Sequence, residues 1–154
     1  MKLKENFFKN EYLNHLQKLD PLAKGNWGKM TVHQMIEHMS DAFRNGNGKD
    51  VYSGILSQEE RLPKMQAFLL SELPFKENTK NILMAEEPLP VKFEQVADSL
   101  AALKSEIDDF FIYWENHKGE LLRNPFFGDL DYEHWISLLH KHAKHHLLQF
   151  GVAV

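Results

Sequence analysis

Four long stretches of this chain carry apolar residues at helical spacing, and no stretch alternates apolar and polar residues at period two. That periodicity suits helices packed through apolar stripes and gives a sheet nothing to form from. The first stretch, Lys4 to Leu19, places Phe8, Tyr12, His15, Leu16 and Leu19 on one side and stops at Asp20-Pro21. A connection with Gly25 and Gly28 follows. The second helix starts at Thr31, whose spacing to Gln34 is that of a capping box. Val32, Met35, Ile36, Met39 and Phe43 form its stripe, and the run Asn45-Gly46-Asn47-Gly48 breaks it.

Residues 49–92 read poorly. Ser57 to Leu70 fits a helix with Leu62, Met65, Phe68 and Leu69 inward and Pro63 in its first turns. Pro74, Pro88 and Pro90 point to a partly irregular connection. A strong helix is predicted from Phe93 to His117, with Val96, Leu100, Leu103, Ile107, Phe110, Phe111 and Trp114 along one side. The last begins at Asp131, a good N-cap, and runs to Gln149 with Gly151 beyond it. Four main helices with one long connection predict an all-α antiparallel four-helix bundle.

Five of the nine histidines fall in residues 124–154. His142 and His146 are four apart, about one turn on one face of the last helix, close enough to share a metal ion. At roughly 100° per residue, Trp135, Leu139, His142, His146 and Gln149 share a stripe about 80° wide. The pair therefore points where the apolar residues point, and a buried imidazole needs a partner. A metal is the simplest one, and a third ligand would come from a facing helix. His38, at the edge of the second helix's stripe, is the best candidate.

Simpler readings compete. A histidine at a helix seam is often just hydrogen-bonded, and such a pair arises by chance in a histidine-rich stretch. His140 and Lys141 point away from the stripe and are expected in solvent. His145 lies at its margin, as a partner of a ligand, a substrate contact or a surface residue. Glu37 points about 100° away from His38, and the acids read mostly as a solvated face. Trp135 and Gln149 either line a pocket or pack as core, Gln149 as a satisfied amide. His145 and Asp41 are the candidate general bases. An acceptor for the outer imidazole nitrogens is expected, with no residue marked for it.

Several classes are excluded. The chain has no cysteine, so a disulfide framework, a thiolate metal site and a cysteine nucleophile are out. His-Glu-x-x-His, a glycine-rich phosphate loop and the paired Glu-x-x-His of di-iron bundles are absent. A net charge of −4 argues against nucleic acid as partner. No apolar run reaches the length of a membrane span, and the charged N-terminal stretch does not resemble a signal peptide, so the cytoplasm is the expected compartment.

Three pieces of the sequence resemble the DinB superfamily, which includes the YfiT-like metal-dependent proteins. They are Trp27-Gly28-Lys29-Met30-Thr31 leading into a helix with MIEHM, the run His142-Ala143-Lys144-His145-His146-Leu147-Leu148-Gln149, and NPFFGDLDYEHW before the last helix with QFGV after it. The likeness spans Trp27 to Val152, with almost nothing from 49–92, and points to an uncharacterised branch. It implies a DinB/YfiT-like four-helix bundle over 1–154, with zinc or nickel held by His38, His142 and His146 and completed by water. It also implies dimerisation, and thiol transfer or hydrolysis as reaction classes, with a small-molecule substrate or thiol as partner. Fold membership alone does not set function, so a non-catalytic ligand-binding protein or a dimeric interaction module remains the alternative.

Overall fold

Thr31 and Asp131 start the two helices that position the histidines. Thr31 Oγ1 accepts from the Gln34 amide at 3.0 Å while Gln34 Oε1 accepts from the Thr31 amide at 2.9 Å, closing the capping box. Asp131 Oδ1 accepts from the His134 amide at 2.9 Å. The computed structural model of the protein describes residues 1–77 and 88–154.

Among the described residues the chain is mostly helical, with one small sheet. Helix α1 covers residues 2–17 as Lys2–Asn6, a π-helical stretch Phe7–Glu11 and Tyr12–Gln17. The wide turn lets Phe7 and Phe8 both enter the core beside Tyr12 and Leu16. Helix α2 is Val32–Gly46, α3 is Leu62–Leu70 after a 3₁₀ turn at Glu59–Arg61, α4 is Val96–Asn116, and α5 is Tyr132–Gln149. The helix predicted from Ser57 is thus shorter, with Pro63 in its first turn. Irregular chain occupies 49–58, 71–77 and 88–95, and residues 78–87 of the predicted irregular connection lie outside the described residues.

The prediction of no sheet is corrected. Strands β1 (Leu122–Asn124) and β2 (Gly128–Leu130) pair antiparallel around a three-residue loop, with Leu122 opposite Leu130. Asn124 Oδ1 accepts from the Phe126 and Phe127 amides at 2.9 Å each, and Gly128 takes the left-handed backbone the turn requires (φ 82°). Arg123 grips Asp129 across the strands with bonds of 2.8 and 3.1 Å.

The predicted stripes meet in one core. Met35, Ile36, Met39 and Phe43 of α2 are fully buried, against Leu103, Ile107, Phe110 and Trp114 of α4. Gly46 permits the close approach of α5, since a Cβ there would stand 3.0 Å from Trp135 and 3.2 Å from Leu139. Helix α5 touches α1, α2, α3 and β2 and is buried on more than one face. Among the described residues, no helix is long and apolar enough to cross a membrane.

Candidate metal centre

His38, midway along α2, meets His142 and His146 of α5 across the helix seam. His38 Nε2 lies 2.9 Å from His142 Nε2, which lies 3.0 Å from His146 Nε2. The ring centroids are 4.9, 5.0 and 4.7 Å apart, and one nitrogen from each ring falls within 4.8 Å of the others. His142 and His146 are buried and His38 is partly so. Among the described residues no fourth histidine or carboxylate joins the group.

Burial pushes His38 down to about 4 and His146 to about 3, and drives His142 well below the ordinary histidine range, helped by the neighbouring histidines. All three rings are therefore neutral at pH 7, the form that donates to a metal. Neutrality does not satisfy them. A neutral ring nitrogen offers one N–H or one lone pair. His142 Nε2 can serve one neighbour well, not both. A cation facing three lone pairs would satisfy every contact at once. Zinc–nitrogen bonds of about 2.0–2.1 Å in a tetrahedron put the nitrogens about 3.3 Å apart, a few tenths of an ångström beyond the 2.9 and 3.0 Å that separate His142 Nε2 from its two neighbours. The donor set fits a divalent ion and this group can hold one.

His38 and His142 line a recess of about 200 Å3, with Asp41, Tyr52, Phe127 and Trp135 among its walls. Asp41 thus stands beside the cluster, with Lys92 Nζ 3.5 Å from its carboxylate. Trp135 is buried, and its indole N–H donates to the Leu122 carbonyl at 3.1 Å. The acceptor that the sequence did not mark is Gln149, whose Oε1 lies 2.8 Å from His146 Nδ1. It is also the satisfied core amide, because its Nε2 donates to the Trp27 carbonyl at 2.8 Å.

Two placements are corrected and a third is narrowed. Lys141 is buried, its ammonium donating to the Ser71 and Leu73 carbonyls just past α3 and lying 4.6 Å over the Phe68 ring. His140 is partly buried with its ring edge-on to Phe7 at 5.0 Å. His145 is not a surface residue: it is buried, 5.3 Å from the rings of both Trp27 and His146. It lines a separate cavity of about 160 Å3 that none of the three clustered histidines reaches. The wheel assigned His140 and Lys141 to solvent because it finds one stripe and cannot show that α5 is surrounded.

Not every acid is solvated either. Glu106 is buried and accepts from Lys49, Asn47 and Arg44 at 2.6, 3.1 and 3.1 Å. Its spacing to Leu103 and Phe110 placed it on the apolar stripe, a signal that was legible. Glu37 accepts from the amides of Lys92 and Phe93 at 2.6 and 3.1 Å and from Ser99 Oγ at 2.7 Å. Ser99 is fully buried, and giving its one proton to Glu37 leaves it only accepting from His33 at 2.8 Å. That trio fastens the chain at 92–93 to α2 and is no activated nucleophile. No protein-family model, no curated protein and no solved structure matches the chain.

Proposed function

We propose that this chain is a DinB-like four-helix-bundle metalloprotein in which His38, His142 and His146 hold one zinc or nickel ion, with thiol transfer or metal-assisted hydrolysis as its reaction. The observation that carries this reading is the convergence of three neutral Nε2 atoms on one point, in a group that cannot satisfy itself by hydrogen bonds. Three protein ligands with a further position left for water is the pattern of catalytic zinc, whereas structural zinc is closed by four. The recess beside His38 and His142 supports an open position.

When bound, the ion would supply Lewis acidity, or lower the pKa of a bound water or thiol. The rest of the work falls to the chain's own side chains. Phe127 and Trp135 make the recess partly apolar and limit water beside the cluster, and Asp41 is the carboxylate placed to take a proton from a group bound there. A small molecule or thiol as partner, and a homodimer as assembly, belong to the same reading.

The test is elemental analysis of protein purified without a histidine tag, beside His38→Ala, His142→Ala and His140→Ala. About one zinc or nickel per chain, lost in the first two variants and kept in the third, is the expected result. No metal in the wild type, and no uptake from added zinc or nickel, would sink the reading and leave a ligand-binding or interaction protein in its place.

A further inference from the structure

The outer nitrogen of His146 is engaged by a group that is itself held from another part of the chain. Gln149 lies three residues on from His146, its Oε1 2.8 Å from Nδ1, and its Nε2 donates to the Trp27 carbonyl at 2.8 Å. A backbone carbonyl only accepts, so the amide nitrogen must face Trp27 and the amide oxygen must face the imidazole. That oxygen also only accepts, so the hydrogen of neutral His146 sits on Nδ1 and its lone pair on Nε2, pointing into the cluster.

The loop that carries Trp27 is built onto Gln149. The Asn26 amide donates to the Gln149 carbonyl at 2.7 Å, and Lys24 pairs with Thr31 across the base of the loop. A Cβ at Gly25 would lie 2.8 Å from the Trp27 carbonyl and 3.1 Å from Gln149 Cγ. At Gly28, whose φ is +74°, it would lie 2.8 Å from Gln149 Nε2. Two glycines thus stand where any side chain would push the loop off the glutamine.

We propose that the loop 24–31 is a positioning element for the histidine cluster: through the Trp27 carbonyl and Gln149 it locks His146 in the Nδ1–H tautomer, linking the order of the loop to ion affinity. The linkage rests on the metal-site reading above, while the lock is a property of the chain alone. Because linkage is reciprocal, an ion at the cluster steadies the loop as much as the loop favours the ion.

Three readouts test it: histidine ¹⁵N spectra under chelator, zinc titration, and amide exchange at Asn26, in wild type, Gln149→Leu and Gln149→Glu. Wild-type His146 is expected to be Nδ1–H. Gln149→Leu removes the acceptor, so His146 becomes a tautomer mixture and zinc affinity falls by about 10–100-fold, the usual effect of losing a ligand's outer partner. Gln149→Glu keeps an acceptor for Nδ1 and so holds the tautomer. Its carboxylate cannot donate to Trp27, so the loop is released and Asn26 exchanges faster there. Zinc affinity therefore falls there too, by less than in Gln149→Leu, and an unchanged affinity beside a loosened loop overturns the linkage. An Nε2–H tautomer in the wild type overturns the lock however the variants fold, and so does a Gln149→Leu protein that keeps both tautomer and affinity. A wild type that takes up no zinc overturns the metal reading and the linkage with it, whereas a tautomer change in Gln149→Leu would still uphold the lock.

Discussion

Helix α2 carries polar groups into the interior at two places, and they are satisfied in opposite ways. Toward its C-terminal end, Glu106 of α4 receives Arg44, Asn47 and Lys49, and Lys49 also reaches Asp109 at 2.6 Å. Charge and hydrogen-bonding capacity are matched within the chain. At its middle, His38 meets two further histidines with no carboxylate among them. Three bases share one point and at most one good hydrogen bond. A closed network specifies structure, whereas an open cluster of one chemical kind leaves lone pairs that an ion could complete from outside.

The largest expected effect tests that contrast through added metal. If the cluster is completed by an ion, zinc at about a thousand times its Kd should stabilise the wild type by about 4 kcal/mol. For a chain of this size that is a rise of roughly 8–16 °C in melting temperature. His142→Leu should abolish the rise. Its own melting temperature under chelator should equal or exceed the wild type's, because an apolar side chain replaces a poorly satisfied imidazole. A large loss of stability under chelator would mean that the histidines hold the fold together, as Glu106 does.

Acid separates the two regions next. The unfolded chain's histidines titrate near 6.5, while burial holds His38 down at about 4 and His146 at about 3. As pH falls below about 6.5 the unfolded chain takes up protons that the folded cluster refuses, so stability present above that pH drains away toward 4, at about 1.4 kcal/mol per unit for each such group. Glu106 titrates at the other end of the acid range. Burial raises its carboxyl pKa, but Lys49, Asn47 and Arg44 outweigh that and hold it below its ordinary 4.5, so its contribution is lost only under that value. Urea midpoints under chelator should therefore begin to drop above pH 5, with a gentler slope in His142→Leu. Partly buried His140 titrates in the same direction, so the variant carries the comparison. A drop beginning only below 4.5 would assign acid sensitivity to the carboxylates.

Removing the anion comes third. Glu106→Ala leaves Arg44 with Asp50 and Lys49 with Asp109 as their remaining anionic partners and removes the buried carboxylate they share. Breaking a fully buried pair costs about 3–5 kcal/mol. Here the cationic side chains are 36% and 37% exposed, and water screens them, so about 1–3 kcal/mol is expected in denaturant midpoints. Metal content should not change. A Glu106→Ala protein that loses its ion would show the two regions to be one system.

The regions also differed in how far the sequence revealed them. Thr31 and Asp131 announce their helices because capping is written in side chains at fixed spacing, and the stripes of α2 and α4 put the core residues in place. The position of His38 at a seam, facing a pair one turn apart, followed from the same periodicity. What stayed hidden has physical causes. Strands of three residues are too short to show alternation, so the Leu122 and Leu130 pairing left no pattern. A wheel cannot reveal that α5 is enclosed by four other elements, so Lys141 and His140 were misplaced. The Trp27 carbonyl that orients Gln149 is backbone, and nothing in the sequence marks which carbonyl a loop will present.

The smallest effect is the sharpest form of the comparison, because it concerns redundancy. Lys49 is one of three donors to Glu106, and its ammonium is shared with Asp109. Lys49→Ala leaves Arg44 and Asn47 in place, and water reaches the vacated position. The loss should stay under about 1 kcal/mol in a urea titration, as for other partly exposed pairs. No such margin exists at the histidines. Each supplies one of three donors, and two do not hold an ion well, so deletion of His38 or His142 should remove binding rather than weaken it by a third. A Lys49→Ala loss as large as that of Glu106→Ala would show that the charged network, too, depends on every member, and the distinction between a closed structure and an open site would then rest on the metal alone.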